Sequence, residues 1–378
     1  MRWPLRLQRA SPTAGRNDRE PPPMSVNAVP VEAAPGAAIV TTLRAAGAYL
    51  DNFARYHLAI GFAHLYLFLD DPAEAVPDWL RSEPRVSLIR RDDALETAWR
   101  RIALEHELIG FAHQWREREV MARQLLNVKI AIDLALRAGQ RWLLHIDVDE
   151  LFHCAGSTVA EHFRHAEALG LRQVHYANHE LVPLSWQPGD IVREETLFKL
   201  SPACVDDERK RWFLSRFPRR PRYFNYYHWG KAAARVDAGL LPGMTVHEFT
   251  VPGQALPSLA DAFQPSTRAY RQPTLQSDPC ILHYAIAGFD EFVRKYRVLG
   301  RFADRWFGNG VDIQTAIPFH LAARDAVGAA DAGVATRFFQ DNVLFSSSEI
   351  DELIERGVCR HFPRPARLLL EASEAKMA

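Results

Sequence analysis

The stretch WLLHIDVDELF, which runs from Trp142 to Phe152, joins a short apolar run to three carboxylates. The apolar residues have the length and character of a buried strand. Asp147, Asp149 and Glu150 follow within four positions. In open α/β folds, ligands bind in the crevice at the carboxyl ends of the strands. The stretch therefore predicts a binding site at the end of a central strand.

The two aspartates form a D-x-D pattern. Side chains alternate along an extended strand, so Asp147 and Asp149 should project to one side while Val148 and Glu150 project to the other. Two carboxylates on one side suit a hard divalent cation, Mn²⁺ or Mg²⁺, that also holds phosphate oxygens. Acids in this position also cap helices or lie in solvated loops, and the pattern alone leaves both interpretations open.

Strands and helices alternate before the acidic stretch. Apolar, β-branched runs predict strands, and apolar residues at helical spacing predict helices. The predicted strands span residues 37–43, 63–69 and 86–89, and the predicted helices span 47–60, 94–113 and 118–136. This alternation is typical of an α/β fold with a mostly parallel central sheet flanked by helices.

Length and composition fit one large domain with appendages. The 378 residues are 48% hydrophobic and 24% charged, which is ordinary globular composition. We expect a disordered leader rich in Arg and Pro, an α/β domain and a helical C-terminal region, at residues 1–36, 37–300 and 301–378.

Charge and cysteine content narrow the classes of partner and compartment. Lys plus Arg and Asp plus Glu both total 46, so no net field indicates a nucleic-acid partner. No apolar stretch reaches about 18 residues, so we expect no transmembrane segment. The leader lacks the apolar core of a secretory signal, and the four cysteines are far apart. These features favour a reducing compartment, and the cytoplasm is the expected location.

Several short motifs resemble family 92-like and family 2-like glycosyltransferases. The opening motif reads Tyr56-His57-x-x-x-Gly61 and continues as His64-x-Tyr66-x-Phe68. The similarity covers about residues 38–300, and its remaining landmarks occur in the same order: Gln124 and Asn127 before the D-x-D-E block, then Lys231, His247, His283-Tyr284 and Lys295.

This resemblance implies a GT-A fold, which has a Rossmann-like, mostly parallel sheet. It also implies a nucleoside diphosphate sugar as donor, expected to be UDP-linked, and Mn²⁺ or Mg²⁺ as cofactor. The expected reaction is an inverting transfer of a hexose to a hydroxyl of a glycan or glycoside. The expected metal ligands are Asp147 and Asp149, with a late histidine, His283 or His247, as a further ligand.

Donor contacts are expected at the ends of the first strands, as in other α/β nucleotide sites. This position nominates Arg44 and Asp70, with Asp71 as a substitute. The remaining expected donor contacts are Gln124 and Asp147 at the ribose or base, and Lys231 and Lys295 at the diphosphate.

The general base that an inverting transfer needs is not identified by the resemblance. Glu150 lies next to the D-x-D pattern, although alternation should turn its side chain away from Asp149. Glu180 is the other candidate. It lies in the block from His175 to Glu180, where relatives tend to have a Trp and a Phe-Gly pair. The acceptor is expected to contact this divergent block.

Alternative functions remain open at this stage. The basic, aromatic stretch 209–229 could stack on single-stranded nucleic acid, but a lid over the diphosphate or a sugar platform agrees better with zero net charge. A protein that binds glycans or nucleotide sugars without turnover is a second alternative. A haloacid-dehalogenase-type phosphatase with Asp147 as nucleophile is a third. It is disfavoured because its D-x-D strand is usually the first of the fold and here it is about the fourth.

Overall fold

The computed structural model of the chain describes residues 36–218, 230–243, 248–250, 279–300, 302–307, 311–312 and 318–374. The strands in these ranges are β1 (Ala37–Leu43), β2 (His64–Leu69), β3 (Val86–Arg90), β4 (Trp142–His145), β5 (Glu150–His153), β6 (Gln173–Tyr176), β7 (Asn178–Leu181), β8 (Leu197–Lys199), β9 (Lys231–Arg235), β10 (Leu241–Pro242), β11 (Phe249–Thr250), β12 (Cys280–His283), β13 (Arg305–Trp306), β14 (Val311–Asp312) and β15 (Cys359–His361). The helices are α1 (Tyr49–Ala59), α2 (Asp78–Ser82), α3 (Asp93–Ile102), α4 (Glu107–Trp115), α5 (Val120–Arg137), α6 (Val159–Ala168), α7 (Ile191–Glu194), α8 (Asp207–Arg216), α9 (Phe289–Leu299), α10 (Pro318–Val327), α11 (Ala332–Asn342), α12 (Ser347–Glu355) and α13 (Arg364–Glu374).

The first sheet has the strand order β3-β2-β1-β4-β9-β6. Strands β3, β2, β1 and β4 are parallel, whereas β9 is antiparallel to both of its neighbours. The predicted α/β class, with a mostly parallel central sheet flanked by helices, is confirmed and is consistent with the GT-A type. The strand order reverses between β1 and β4, and such a reversal opens a crevice at the carboxyl ends of the two strands.

The two faces of this sheet are covered by different helices. Along β1, Ile39 packs on the face that α1 and α6 cover, whereas Ala38 and Val40 pack on the face that α3, α4 and α5 cover. The alternation follows from the two-residue period of a strand, and both faces are apolar because both are buried. The predicted leader, residues 1–36, lies outside the described residues except for Gly36.

A second sheet has the strand order β15-β8-β7-β12-β5. Its strand β5 begins directly after the acidic stretch and pairs antiparallel with β12, and β12 pairs parallel with β7. Strand β15 comes from the C-terminal region, which therefore contributes a strand as well as the expected helices. The block from His175 to Glu180 is divided between the two sheets, because β6 ends at Tyr176 and β7 begins at Asn178.

The C-terminal helices form a separate apolar core around Phe292, Phe319 and Phe339. Val182 and Leu197 from the second sheet belong to the same core, so these helices pack against the α/β part of the chain. Across the described ranges, none of the helices is both long and apolar enough to cross a membrane.

Candidate functional site

The three acids lie in a tight turn between the two sheets, which we call the acidic turn (Asp147–Glu150). Strand β4 ends at His145, so the expected extended conformation through Asp147 and Asp149 is wrong. The Glu150 N–H donates to the Asp147 carbonyl at 3.1 Å, and the Asp147 N–H donates to Glu150 Oε2 at 2.9 Å. The chain turns here because it leaves the first sheet at β4 and enters the second at β5.

Asp147 is held by two side chains from the first sheet and its covering helix. Lys231 Nζ donates to Asp147 Oδ2 at 2.5 Å, and Gln124 Nε2 donates to Asp147 Oδ1 at 2.9 Å. Lys231 is the first residue of β9, which pairs antiparallel with β4 and therefore begins where β4 ends. Burial alone lowers the pKa of Lys231, but Asp147 and Glu150 outweigh it, and the pKa is raised overall.

Gly230 allows the chain to enter β9 at this point. Its φ is +73°, a conformation that favours glycine, and a Cβ at this position would lie 2.2 Å from the Tyr176 carbonyl oxygen. The close approach of these two backbones fixes the position of Lys231, the next residue.

Asp149 contacts Lys295 and His283. Lys295 Nζ donates to Asp149 Oδ2 at 2.9 Å, and His283 Nε2 lies 3.7 Å from the same oxygen. Burial raises the pKa of Asp149, but Lys295 and His283 outweigh it, so the pKa lies far below its usual range. For Lys295 the signs are opposite: burial lowers its pKa, but Asp149 outweighs burial and the pKa is raised overall. Lys295 belongs to α9 and His283 ends β12, so three separate elements build this contact.

Glu150 points toward the same histidine, contrary to the expectation that it would point away from Asp149. It is completely buried, accepts from Asn178 Nδ2 at 3.0 Å, and lies 3.9 Å from His283 Nδ1 through Oε1. Its Oε2 lies 3.1 Å from Lys231 Nζ. Burial raises the pKa of Glu150, and Lys231 opposes this shift. The turn brings the three carboxylates together, which an extended strand could not do.

Glu180 is buried beside this cluster. Lys199 Nζ donates to Glu180 Oε2 at 2.6 Å, and Glu180 Oε1 lies 3.9 Å from His283 Nδ1. A general base must contact the acceptor hydroxyl. Glu150 and Glu180 are exposed by only 0% and 2%, whereas the side chains of Asp147 and Asp149 are exposed by 32% and 17%.

The opening motif holds the strand that follows the acidic turn. The Tyr56 hydroxyl donates to the Phe152 carbonyl at 3.0 Å, and the Phe152 N–H donates to His57 Nε2 at 3.0 Å. His57 Nδ1 donates to the Phe53 carbonyl at 2.8 Å, so the ring is neutral with its proton on Nδ1. These two side chains from α1 therefore fix the backbone of β5 on both sides of Phe152.

The residues nominated as donor contacts at the ends of the first strands make other contacts than those of the acidic turn. Asp70 is buried and accepts from Arg123 at 2.5 and 2.8 Å, in a bidentate pair one residue before Gln124. Asp71 caps the turn that follows β2 by accepting from the Ala73 N–H. Arg44 is exposed, and within the described ranges no contact joins it to the acidic turn. His247 lies outside the described residues.

Sequence reasoning missed Arg123 and Lys199, and it noted Tyr56 and Asn178 without assigning either a contact at this site. Arg123, Asn178 and Lys199 each hold a carboxylate that was nominated, and Tyr56 binds the backbone of β5. Arg123 carried a usable signal, because it lies next to Gln124 at the start of a helix that faces the strand ends. Asn178 and Lys199 carried none, because only the second sheet brings them to the acidic turn.

Two of the nominated metal ligands are close enough to share one ion. Adjacent ligands about 2.1 Å from an octahedral ion lie roughly 3.0 Å apart. Asp149 Oδ2 and His283 Nε2 are 3.7 Å apart, so closing this distance by about 0.7 Å lets them share such an ion. Both Asp147 oxygens are already hydrogen-bonded. Within the described ranges no group of three His, Cys, Asp or Glu side chains is arranged for a metal. The residues fit an ion such as Mg²⁺ or Mn²⁺ that takes most of its ligands from phosphate and water.

Comparisons with known proteins return distant relatives. No protein-family model matches the chain. One glycosyltransferase-like protein of Arabidopsis thaliana is 25% identical over 337 residues, which are 85% of this chain and 60% of the relative. A second glycosyltransferase-like protein of the same plant is 32% identical over 198 residues, which are 50% of this chain and 43% of the relative. The chain thus spans less than two thirds of either relative.

Solved structures were also matched, among them core-mannan synthase A from Aspergillus fumigatus in its Mn/GDP form. The match covers 67% of this chain and 70% of that protein, at 10% identity and a TM-score of 0.25. At this TM-score the likeness supports no conclusion about the chain.

Proposed function

We propose that the chain is a glycosyltransferase that uses a nucleoside diphosphate sugar and a divalent metal ion. One observation carries the proposal: three carboxylates, His283 and two lysines converge at the carboxyl end of β4, where the strand order reverses. Ligands of open α/β sheets bind at such a reversal. Both Arabidopsis relatives are named glycosyltransferase-like, which supports the same class.

The charges of the cluster suit a metal ion together with a diphosphate. Three carboxylates and two ammonium groups leave one net negative charge, which attracts a divalent cation. Mn²⁺ or Mg²⁺, held by Asp149 and His283, would supply Lewis-acid stabilisation of the negative charge on the leaving nucleoside diphosphate. Lys295 lies beside the same Asp149 oxygen and donates further hydrogen bonds to phosphate. Lys231, which is buried behind Asp147, holds that carboxylate in place.

The nucleoside is proposed to lie over the carboxyl ends of β1 and β2. Arg123 fixes Asp70, and Gln124 is the next residue of the same helix. Asp70 would offer an acceptor, and Gln124 an amide, for ribose or base hydrogen bonds. Arg44 is exposed at the end of β1, on the open side of this edge. The UDP linkage of the donor, the hexose, the glycan or glycoside acceptor and the inverting outcome belong to the same proposal.

Glu150 is proposed as a positioning residue. Its carboxylate accepts from the Asp147 N–H, Lys231 and Asn178, and these contacts fix the shape of the acidic turn. Its oxygens are enclosed and do not reach an acceptor hydroxyl in this arrangement. The general base therefore stays a prediction, with Glu180 as the other candidate.

Substitution of Asp149 tests the proposal. We expect Asp149→Asn to lower Mn²⁺-dependent hydrolysis of UDP-sugars by about 100-fold or more, because it removes a charge that acts in the transition state. Asp133→Asn is the matched control, since Asp133 also pairs with a lysine, Lys129, at 2.7 Å but lies far along α5. Unchanged donor hydrolysis in Asp149→Asn, with a wild-type melting temperature, would refute the site.

The binding-only alternative is separated by the wild-type protein. A protein that only binds nucleotide sugars would be stabilised against heat by UDP-sugars with Mn²⁺ and would release no UDP. A transferase gives both the stabilisation and the release.

A further inference from the structure

A second charged cavity lies at the other end of β5. Its volume is about 490 Å³, and it is lined by His153 together with residues of β15 and of the first two turns of α13 (Arg364–Glu374). The Cα atoms of Glu150 and His153 are about 10 Å apart along the strand, at about 3.3 Å per residue. The cavity is therefore distinct from the acidic turn. We call it the arginine cavity.

Three arginines line this cavity: Arg360, Arg364 and Arg367. Within the described ranges none of their guanidinium groups forms an ion pair with a carboxylate, although Glu371 also lines the cavity. Arg364 donates to the Cys154 carbonyl oxygen, which ties it to the wall, and Arg360 lies over the Phe362 ring at 6.0 Å. Arg360 and Arg364 are half-buried and Arg367 is exposed at the mouth of the cavity. A half-buried guanidinium group that lacks a carboxylate partner is unusual, since charges are costly to desolvate without compensation.

His153 provides an independent observation. The residue is 3% exposed and lines the cavity, and within the described ranges its buried Nδ1 has no hydrogen-bond partner. Buried polar groups nearly always have a partner in protein or water. Burial, with Arg364 and Arg360 nearby, lowers the pKa of His153 to about 4, so the ring is neutral at pH 7. A neutral ring can donate one hydrogen bond to a bound anion.

The start of α13 adds to the same field. The helix is eleven residues long and begins at Arg364, so the positive end of its dipole lies at the cavity. In its first turn, Pro365 has no N–H and the Arg367 N–H donates to the Pro363 carbonyl, so the dipole and not a set of N–H groups is what the helix contributes. Guanidinium groups match phosphate oxygens in a bidentate manner. Three of them are better neutralised by a dianion than by a carboxylate. The volume exceeds that of a phosphate alone and falls in the range of small-molecule sites.

We propose that the arginine cavity binds the phosphate group of a small phosphorylated molecule, held by Arg360, Arg364 and Arg367 with a further hydrogen bond from His153. The site is separate from the proposed donor site and does not depend on the glycosyltransferase proposal. Its phosphate group neutralises the three guanidinium groups, and the rest of the molecule fills the remaining volume.

Calorimetric titration of the full chain tests the proposal with three probes: inorganic phosphate, a hexose monophosphate and acetate. We expect both phosphates to bind, the hexose monophosphate more tightly, and acetate at least tenfold more weakly. Arg360→Gln and Arg367→Gln should each weaken phosphate binding about tenfold or more, as expected for lost hydrogen bonds to a charged group. Arg101→Gln is the matched control, because Arg101 is an exposed arginine on α3. In NMR spectra recorded during the phosphate titration, the His153 ring resonances should shift at the same phosphate concentration that gives half-saturation in calorimetry.

Several results would overturn this proposal. They are unchanged phosphate binding in both cavity variants, equal weakening in Arg101→Gln, or acetate binding as tight as phosphate. Inorganic phosphate binding as tightly as the hexose monophosphate would overturn the assignment to a phosphorylated molecule. Donor hydrolysis by Arg360→Gln and Arg367→Gln should remain at the wild-type rate, so failure here and failure of the glycosyltransferase proposal give different results.

Discussion

Strand β5 connects two charged regions that are built in opposite ways. At its start, every carboxylate of the acidic turn has a lysine within 4 Å. Lys231 pairs with Asp147 and Glu150, and Lys295 pairs with Asp149. At its end, the arginine cavity gathers three guanidinium groups without a carboxylate partner among the described residues. Compensated charges stabilise a fixed geometry, whereas uncompensated ones are balanced by a ligand. The comparison predicts that removing a charge is costly at the first region and nearly free at the second.

The largest effect is expected from Lys231→Met. This change leaves Asp147 and Glu150 without their buried cation, and breaking a buried ion pair costs about 3–5 kcal/mol. The free energy of unfolding from urea denaturation measures it. Lys129→Met, which breaks a partly exposed pair with Asp133, should cost about 1 kcal/mol or less. Equal losses in the two variants would show that the acidic turn is not held by its buried lysine.

Gly230→Ala should also destabilise the entry to β9. The new Cβ meets the Tyr176 carbonyl oxygen and the φ of +73° is unfavourable for alanine, which together cost about 2–4 kcal/mol. Gly170→Ala is the control. Gly170 has a similar φ of +71°, but a Cβ there would lie in open space. This variant should therefore lose only the dihedral contribution, about 1–2 kcal/mol. A smaller loss in Gly230→Ala than in Gly170→Ala would contradict the close approach.

The pH dependence of stability tests how β5 is held between the two regions. Burial lowers the pKa of His57 to about 3, while an unfolded histidine titrates near 6.5. Below pH 6.5 His57 binds a proton in the unfolded state but not in the folded state. The contribution of neutral His57 to the free energy of unfolding is therefore fully present above pH 6.5. It is lost as the pH falls toward 3, by about 1.4 kcal/mol per pH unit.

His57→Phe isolates this contribution in urea denaturation between pH 4 and pH 7. The variant should be less stable at pH 7, because the Phe152 N–H loses its acceptor, and its stability should fall less steeply with pH. His165→Phe, at an exposed position of α6, should keep the wild-type slope. A wild-type slope in His57→Phe would show that His57 has the same pKa in the folded and unfolded states.

The smallest effect is expected from Arg367→Gln without ligand. Its side chain has no carboxylate partner among the described residues, so the free energy of unfolding should change by less than about 0.5 kcal/mol. Phosphate should then raise the melting temperature of the wild type and of Arg101→Gln more than that of this variant. A loss comparable to that of Lys231→Met would remove the contrast between the two ends of β5.

The sequence was most informative where local pattern determines structure. The apolar runs at β1, β2 and β3 and the amphipathic α5 were predicted within a few residues, because strand and helix periods are written directly in the order of apolar residues. Two short strands were missed. Neither β5 nor β7 was predicted, since each has four residues and includes charged or polar side chains. Strand β5 forms by pairing with β12, and β7 by pairing with β12 and β8.

Some residues of the site could be identified from local sequence, whereas others became apparent only from the packing of distant elements. Asp147, Asp149 and Glu150 were identifiable because they are adjacent in the chain and follow an apolar strand. Their relative orientation was not, because the chain turns between two sheets that no local pattern reveals. Lys199 was missed because its partner, Glu180, lies on another strand, and Arg123 because its partner, Asp70, is 53 positions away. Both pairs form only when the elements pack together.

By itself, the sequence determined the α/β class, the parallel strands and the acids at the end of β4, since local periodicity and adjacency encode these features. Only the tertiary structure decided that Glu150 faces His283, that Tyr56 and His57 hold β5, and that three arginines gather around His153. These contacts join residues up to hundreds of positions apart. They form because burial of both sheets brings their side chains together, and that burial is a property of the whole chain.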